Sequence, residues 1–124
     1  TLNDPLVRIH IPFGVAYGTD KELVRKAVLE AARRVDITYD DGAKRRPQVW
    51  LVGFGDSSLN FELVNWVNPK LGKATPGSWM AVYTWEIESA LQRYDIEIPF
   101  PQRDIHIKES LRDKLDPTEL PEQL

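Results

Sequence analysis

The sequence has 124 residues, a length typical of one domain, with 42% hydrophobic and 28% charged residues. This composition excludes wholesale disorder and fibrous repeats. There are no cysteines, which excludes a disulfide framework, a thiolate metal site and a cysteine nucleophile. The net charge of −3 lies in residues 109–124, and residues 1–108 are neutral. A neutral body does not attract phosphate backbones over long range, so we expect no nucleic-acid partner.

The longest apolar run, residues 79–83, is much shorter than a membrane-spanning helix, which needs about 20 apolar residues. We therefore expect that this chain does not itself cross a bilayer. The first residue is Thr1 and the only methionine is Met80. Because translation starts at methionine, we expect the sequence to be a piece of a longer protein.

Hydrophobic side chains alternate along residues 7–15, which predicts a half-buried strand. A helix is expected to begin at Thr19, because Thr19 and Glu22 have the spacing of a capping box. Residues 48–55 and 59–67 also alternate, and the short link between them predicts a hairpin. The apolar stripe of the first helix comprises Leu23, Val24, Ala27, Val28, Ala31 and Val35.

A second helix is expected to begin near Thr75 or Ser78, either of which can cap it. Alternation over 96–100 predicts a short fourth strand, and residues 103–108 alternate again as an extra strand. This order predicts an α+β fold: a ferredoxin-like βαββαβ sandwich with an antiparallel sheet, two helices on one face and an extra C-terminal strand. The apolar stripe of the second helix comprises Met80, Tyr83, Ile87, Ala90, Leu91 and Tyr94.

The side chains that could carry chemistry all have simpler structural interpretations. His10 and His106 lie on polar strand faces without metal-ligand spacing. Asp40 and Asp41 beside Gly42 indicate a turn, because the closing glutamate of a calcium loop is missing. No serine has a histidine at a recognisable nucleophile spacing. We therefore assign no catalytic, cofactor-binding or metal-binding residue and expect no cofactor and no enzymatic activity.

The four tryptophans are more informative, because so small a core cannot hide all of them. The basic run 44–46 with Trp50 and Trp66 gives the best case for RNA binding, but no RNA-recognition motif lies on the strands. Trp79 and Trp85 fall off the apolar stripe of the second helix. Exposed large aromatic side chains indicate a contact surface, so we predict that Trp79 and Trp85 lie at a subunit interface.

Three segments resemble one family in order and spacing. Residues 11–20 (IPFGVAYGTD), 54–61 (FGDSSLNF) and 96–105 (IEIPFPQRDI) resemble the cytoplasmic α/β domain of the small-conductance mechanosensitive channels, the MscS family. The resemblance covers residues 7–108, although the pore helices and most of the β domain above the cage are absent.

The resemblance implies a homo-oligomer, heptameric in the full-length parent, at the cytoplasmic face of the inner membrane. Transmembrane helices of the parent form the pore. The cytoplasmic domains form a hollow cage with side portals through which ions and small osmolytes pass. Residues 1–108 are then a soluble cage domain, and residues 109–124 form a charged C-terminal tail. The expected role of the cage domain is subunit assembly, solute filtering and an influence on gating.

The resemblance also implies that residues 103–108 leave the sheet and join their copies in a small parallel barrel at the bottom of the cage. Ile105 and Ile107 then face the barrel core and complete the predicted interface set. Two alternatives remain open at this point. One is a ferredoxin-like small-molecule-binding regulatory domain attached to a channel or transporter. The other is a soluble enzyme on the same scaffold, for which no nucleophile and base pair is visible.

Overall fold

An antiparallel sheet organises the domain, of which a computed structural model describes residues 5–99. The long strand β4 lies in its centre and pairs along its whole length with β1. The other side of β4 pairs first with β3 and then with the two-residue strand β2. The strands are β1 (Val7–Ala16), β2 (Thr38–Tyr39), β3 (Gln48–Phe54) and β4 (Ser58–Val67).

Two helices, α1 (Lys21–Arg34) and α2 (Trp79–Arg93), pack against each other and against one face of the sheet. α1 lies over β3 and β4, whereas α2 lies over β1. Alternate residues of β1 and β4 meet the helices, and one hydrophobic core joins all four elements. The predicted α+β class, with an antiparallel sheet and two helices on one face, is confirmed.

The cap of α1 lies one residue after the predicted position. The side chain of Asp20 accepts a hydrogen bond from the backbone N–H of Glu22 at 2.9 Å, so Asp20 is the N-cap. The Thr19 hydroxyl instead donates to the carbonyl of Ala16 at 2.7 Å. Thr19 thus closes the preceding turn, where Gly18 takes a φ of +87° that favours glycine.

The buried stripe of α2 starts at Trp79 and not at Met80, where the sequence pattern predicted it. Trp79 is 8% exposed and Met80 46% exposed, so both predicted placements are wrong. Trp79 lies one helical turn before the buried Tyr83, and residues four apart share a helix face. Its indole N–H donates to the carbonyl of Ala74 at 3.3 Å, which satisfies the polar edge of a buried ring.

The chain after α2 does not form the regular strand expected at 96–100 within its described part. Residues 96–99 have no strand pairing, although the N–H of Ala16 donates to the carbonyl of Glu97 at 2.9 Å. Pro99 has no N–H with which to extend a ladder. The predicted strand over 103–108, with Ile105 and Ile107, and the tail over 109–124 lie outside the described residues.

Candidate assembly surfaces

Trp85 dominates the outer face of α2, opposite the core. Its side chain is 74% exposed, as expected, whereas Trp79 is buried and its predicted exposure is wrong. Met80 and Ala81 extend the exposed apolar area, and the carboxylates of Glu86 and Glu88 lie beside it. We call these five residues the tryptophan ridge. An exposed tryptophan among small and apolar side chains is typical of a contact surface.

A second open surface lies on the other side of the molecule, between α1 and the edge strand β3. Leu51 points to the helix side of the sheet yet remains 39% exposed. The α1 residues that line the hollow beside it are the charged Lys21, Glu22 and Arg25, so α1 does not cover this part of the sheet with apolar side chains. Two adjoining hollows of about 240 and 380 Å³ result. This edge groove is lined by Lys21, Glu22, Arg25, Leu29, Arg46, Pro47, Gln48, Val49, Trp50, Leu51 and Phe61.

The sheet face away from the helices carries cation–aromatic contacts. The guanidinium of Arg8 lies 5.3 Å from the ring centroid of Trp50, and that of Arg45 lies 5.0 Å from the ring centroid of Trp66. Trp50 and Trp66 therefore both have partners within the domain. Their contacts connect β1, β3, β4 and the loop before β3.

His10 has a structural role on that same face. Its Nδ1 lies 2.8 Å from Oε1 of Glu62, and its ring meets Trp50 edge-on at 5.8 Å. His10 is therefore a hydrogen-bonded histidine on the exposed strand face where the sequence placed it. Within residues 5–99 no group of three or more histidine, aspartate and glutamate side chains could hold a metal ion. His106 lies outside this range.

The acidic pair before β3 forms a turn, as predicted. Asp40 accepts a hydrogen bond from the N–H of Gly42, and Asp41 accepts from the N–H groups of Ala43 and Arg45. Both carboxylates are therefore engaged with backbone donors, the usual arrangement in such turns.

The core contains a polar network that no sequence pattern predicted. The hydroxyl groups of Tyr83 and Thr38 are 2.6 Å apart, and Thr38 donates to the carbonyl of Ala32 at 2.7 Å. Nδ2 of the fully buried Asn65 lies 3.5 Å from the same hydroxyl of Thr38. Burial raises the pKa of the Tyr83 phenol, and its hydrogen bond to Thr38 partly offsets the rise. The network attaches the short strand β2 to both helices and to β4.

A family model described as the C-terminal domain of the mechanosensitive ion channel MscS matches residues 9–98. The chain belongs to the MscS family. The small-conductance mechanosensitive channel of Edwardsiella ictaluri is 33% identical over 113 residues, covering 88% of this chain and 36% of that protein. The mechanosensitive channel MscK of Escherichia coli is 30% identical over 115 residues, covering 93% of this chain and 10% of that protein.

A solved MscS structure has the same fold. The crystal structure of Helicobacter pylori MscS in its closed state aligns with a TM-score of 0.64 and 30% identity, over 79% of this chain and 36% of that one. The chain thus spans only a minor part of the MscS-family proteins that it matches. Within residues 5–99, neither helix has the length and apolar character needed to cross a membrane.

Proposed function

We propose that this chain is the cytoplasmic cage domain of an MscS-family channel, located at the inner face of the cell membrane, and that it contributes to subunit assembly, solute filtering and gating. The match of residues 9–98 to the MscS C-terminal domain carries the proposal. The fold shared with Helicobacter pylori MscS supports it. Two open surfaces that expose apolar side chains, the tryptophan ridge and the edge groove, are consistent with a domain that packs against its own copies.

The proposed mechanism is geometric. Seven copies enclose a chamber below the pore, and the gaps between them pass ions and small osmolytes while excluding larger solutes. Charged side chains at such gaps raise the local concentration of oppositely charged ions. No bond is made or broken in this activity, so it requires neither a nucleophile nor a cofactor.

A chimaeric channel tests the proposal. Residues 1–124 replace the matching region of the Edwardsiella ictaluri channel, and tension-gated current is measured in membrane patches together with oligomer size in detergent. We expect a channel of parental oligomer size that opens under tension. The matching region of Escherichia coli MscK, grafted in the same way, is the control donor. The proposal would be contradicted if the MscK chimaera forms a working channel while the chimaera with this chain inserts into the membrane but does not assemble.

A further inference from the structure

The tryptophan ridge and the edge groove lie on different sides of the domain. α2 packs over β1, and the groove lies at β3. β1 and β3 flank β4 on opposite sides, so the width of the sheet separates the two surfaces. A ring of more than two identical subunits needs such a pair, because each copy presents one surface to the neighbour on one side and a different surface to the other.

The two surfaces are complementary in charge. The hollows beside Trp85 carry the carboxylates of Glu86 and Glu88 and no basic residue among their lining. The edge groove carries Lys21, Arg25 and Arg46, and its one carboxylate, Glu22, is paired with Arg25 at 2.7 Å. An acidic apolar surface therefore has, on the same chain, a basic counterpart that also carries apolar side chains. Such complementarity steers association and fixes which surfaces meet.

The surfaces are also complementary in shape and size. Trp85 projects from α2, whereas the groove is concave and has the apolar side chains of Val49, Leu51 and Phe61 in its floor. A cavity of about 150 Å³ accommodates benzene, so either hollow, at about 240 or 380 Å³, can accept an aromatic side chain. Tryptophan is enriched among the anchors that dominate interface energies.

We propose that Trp85 of one copy inserts into the edge groove of a second copy, giving a head-to-tail contact with Glu86 and Glu88 against the basic rim. The proposal deepens the assembly role above and rests on it, since it names the surfaces by which neighbouring copies meet. The orientation follows from the charges: the helix α2 of each subunit faces the β3 edge of the next.

Disulfide trapping tests this contact, and the absence of native cysteines makes every crosslink attributable to an introduced one. Thr84→Cys marks the ridge beside an intact Trp85, and Leu51→Cys marks the groove. Leu71→Cys, exposed on the turn Pro69–Leu71 and part of neither surface, is the matched control. A tagged Thr84→Cys chain is mixed with each partner chain and oxidised, and the mixed disulfide is quantified on non-reducing gels.

We expect the Leu51→Cys partner to give about tenfold more mixed disulfide than the Leu71→Cys partner. Adding Trp85→Ala to the ridge chain should reduce that yield about tenfold, as for loss of a central anchor. Reversing the ridge charges with Glu86→Lys and Glu88→Lys should reduce it as well. Because Trp85 is exposed in the single chain, thermal unfolding of Trp85→Ala should match that of the parent chain at a protein concentration at which both are monomeric. A lower disulfide yield then reports loss of the contact and not loss of the fold.

Equal yields with the two partners, or a yield that survives Trp85→Ala, would overturn the inference. This outcome differs from failure of the proposed function, because trapping uses only the present chain. If the chimaera gates normally but disulfide trapping shows no preference of the ridge for the groove, these surfaces are rejected and the channel role stands. If trapping is specific but the chimaera fails, the contact between copies stands and the channel role is rejected.

Discussion

Trp79 and Trp85 lie on the same helix in opposite surroundings. Trp79 packs into the core at the start of α2 and donates its N–H to the carbonyl of Ala74, whereas Trp85 projects into solvent. The contribution of an apolar side chain to stability depends on how much of its surface folding removes from water. Equal residue types therefore make unequal contributions to the stability of this domain.

Replacing each tryptophan by alanine should separate these roles. Trp79→Ala is expected to lower the free energy of unfolding by about 3 kcal/mol, because it opens a cavity in the core. Trp85→Ala should change it by less than about 0.5 kcal/mol, as surface substitutions usually do. Urea unfolding followed by circular dichroism measures both, and similar losses in the two variants would contradict the described burial.

The hydroxyl of Tyr83 is expected to stabilise the fold through Thr38. Tyr83→Phe should lower the free energy of unfolding by about 1 kcal/mol at neutral pH, the usual net value of a buried hydrogen bond. Tyr39→Phe, in a half-buried tyrosine of β2, is the matched control. A larger loss in the control than in Tyr83→Phe would contradict the network.

The same substitution should change the response to alkaline pH. Folding raises the pKa of Tyr83, so above about pH 10, where a tyrosine ionises in the unfolded chain, the folded state still holds its proton. The unfolded state then binds fewer protons, and the free energy of unfolding falls as pH rises through this window. Chemical unfolding at several pH values should show a shallower fall in Tyr83→Phe than in the parent chain.

Among the elements, those with a long and regular hydrophobic period were predictable. β1, β4 and α1 each carry enough alternating or helically spaced apolar residues to fix which face is buried. β2 has two residues and therefore no period, and it exists because β4 extends beyond β3 and offers an unpaired edge. α2 begins after Ser78, as predicted, but its apolar stripe was predicted to start at Met80, whereas Trp79 is the buried residue and Met80 is exposed.

The candidate surfaces were predictable only in part, for a related reason. Trp85 lies within one helix, and its spacing from the apolar stripe indicates an outward side chain. The edge groove combines residues of α1, β3, β4 and the loop before β3, so no local pattern marks it. Asn65 lies on a face whose other members are apolar, and the sequence does not show that Thr38 lies near it.

The start of α1 provides a test at the scale of one element. Asp20→Ala is expected to lower the free energy of unfolding by about 1 kcal/mol, because the N–H of Glu22 loses its acceptor. Asp20→Asn should retain most of the stability, since asparagine caps as well as aspartate. Thermal unfolding compares the variants. An Asn variant as unstable as the Ala variant would show that Asp20 acts other than as a cap.

At the scale of the whole molecule, the ridge and the groove give the domain two different interaction surfaces on opposite sides. A chain with one acidic apolar surface and one basic apolar surface can continue a series of identical copies, and closure of that series limits its length. Residues 103–108 remain a predicted barrel strand that would add a second level of contact at the end of the same ring.

Removing that strand should weaken the assembly. In the chimaeric channel, ending the chain after Gln102 is expected to lower the fraction of full-size oligomer recovered in detergent, because the predicted barrel contacts of Ile105 and Ile107 are lost. Ending it after Lys108 keeps the strand, removes only the charged tail and is the control. An unchanged oligomer in the shorter chimaera would rule out an assembly role for residues 103–108.

The chain enters and leaves the described domain at opposite ends of the ladder between β1 and β4. Val7 pairs with Val67 at one end, and at the other end the N–H of Ala16 donates a hydrogen bond to the carbonyl of Glu97. A strand of this length extends about 30 Å. Pulling the two ends apart along the strands loads the ladder hydrogen bonds in shear, all at once, so that they do not peel apart one by one. We therefore expect the ladder between β1 and β4 to resist extension of the domain along this axis.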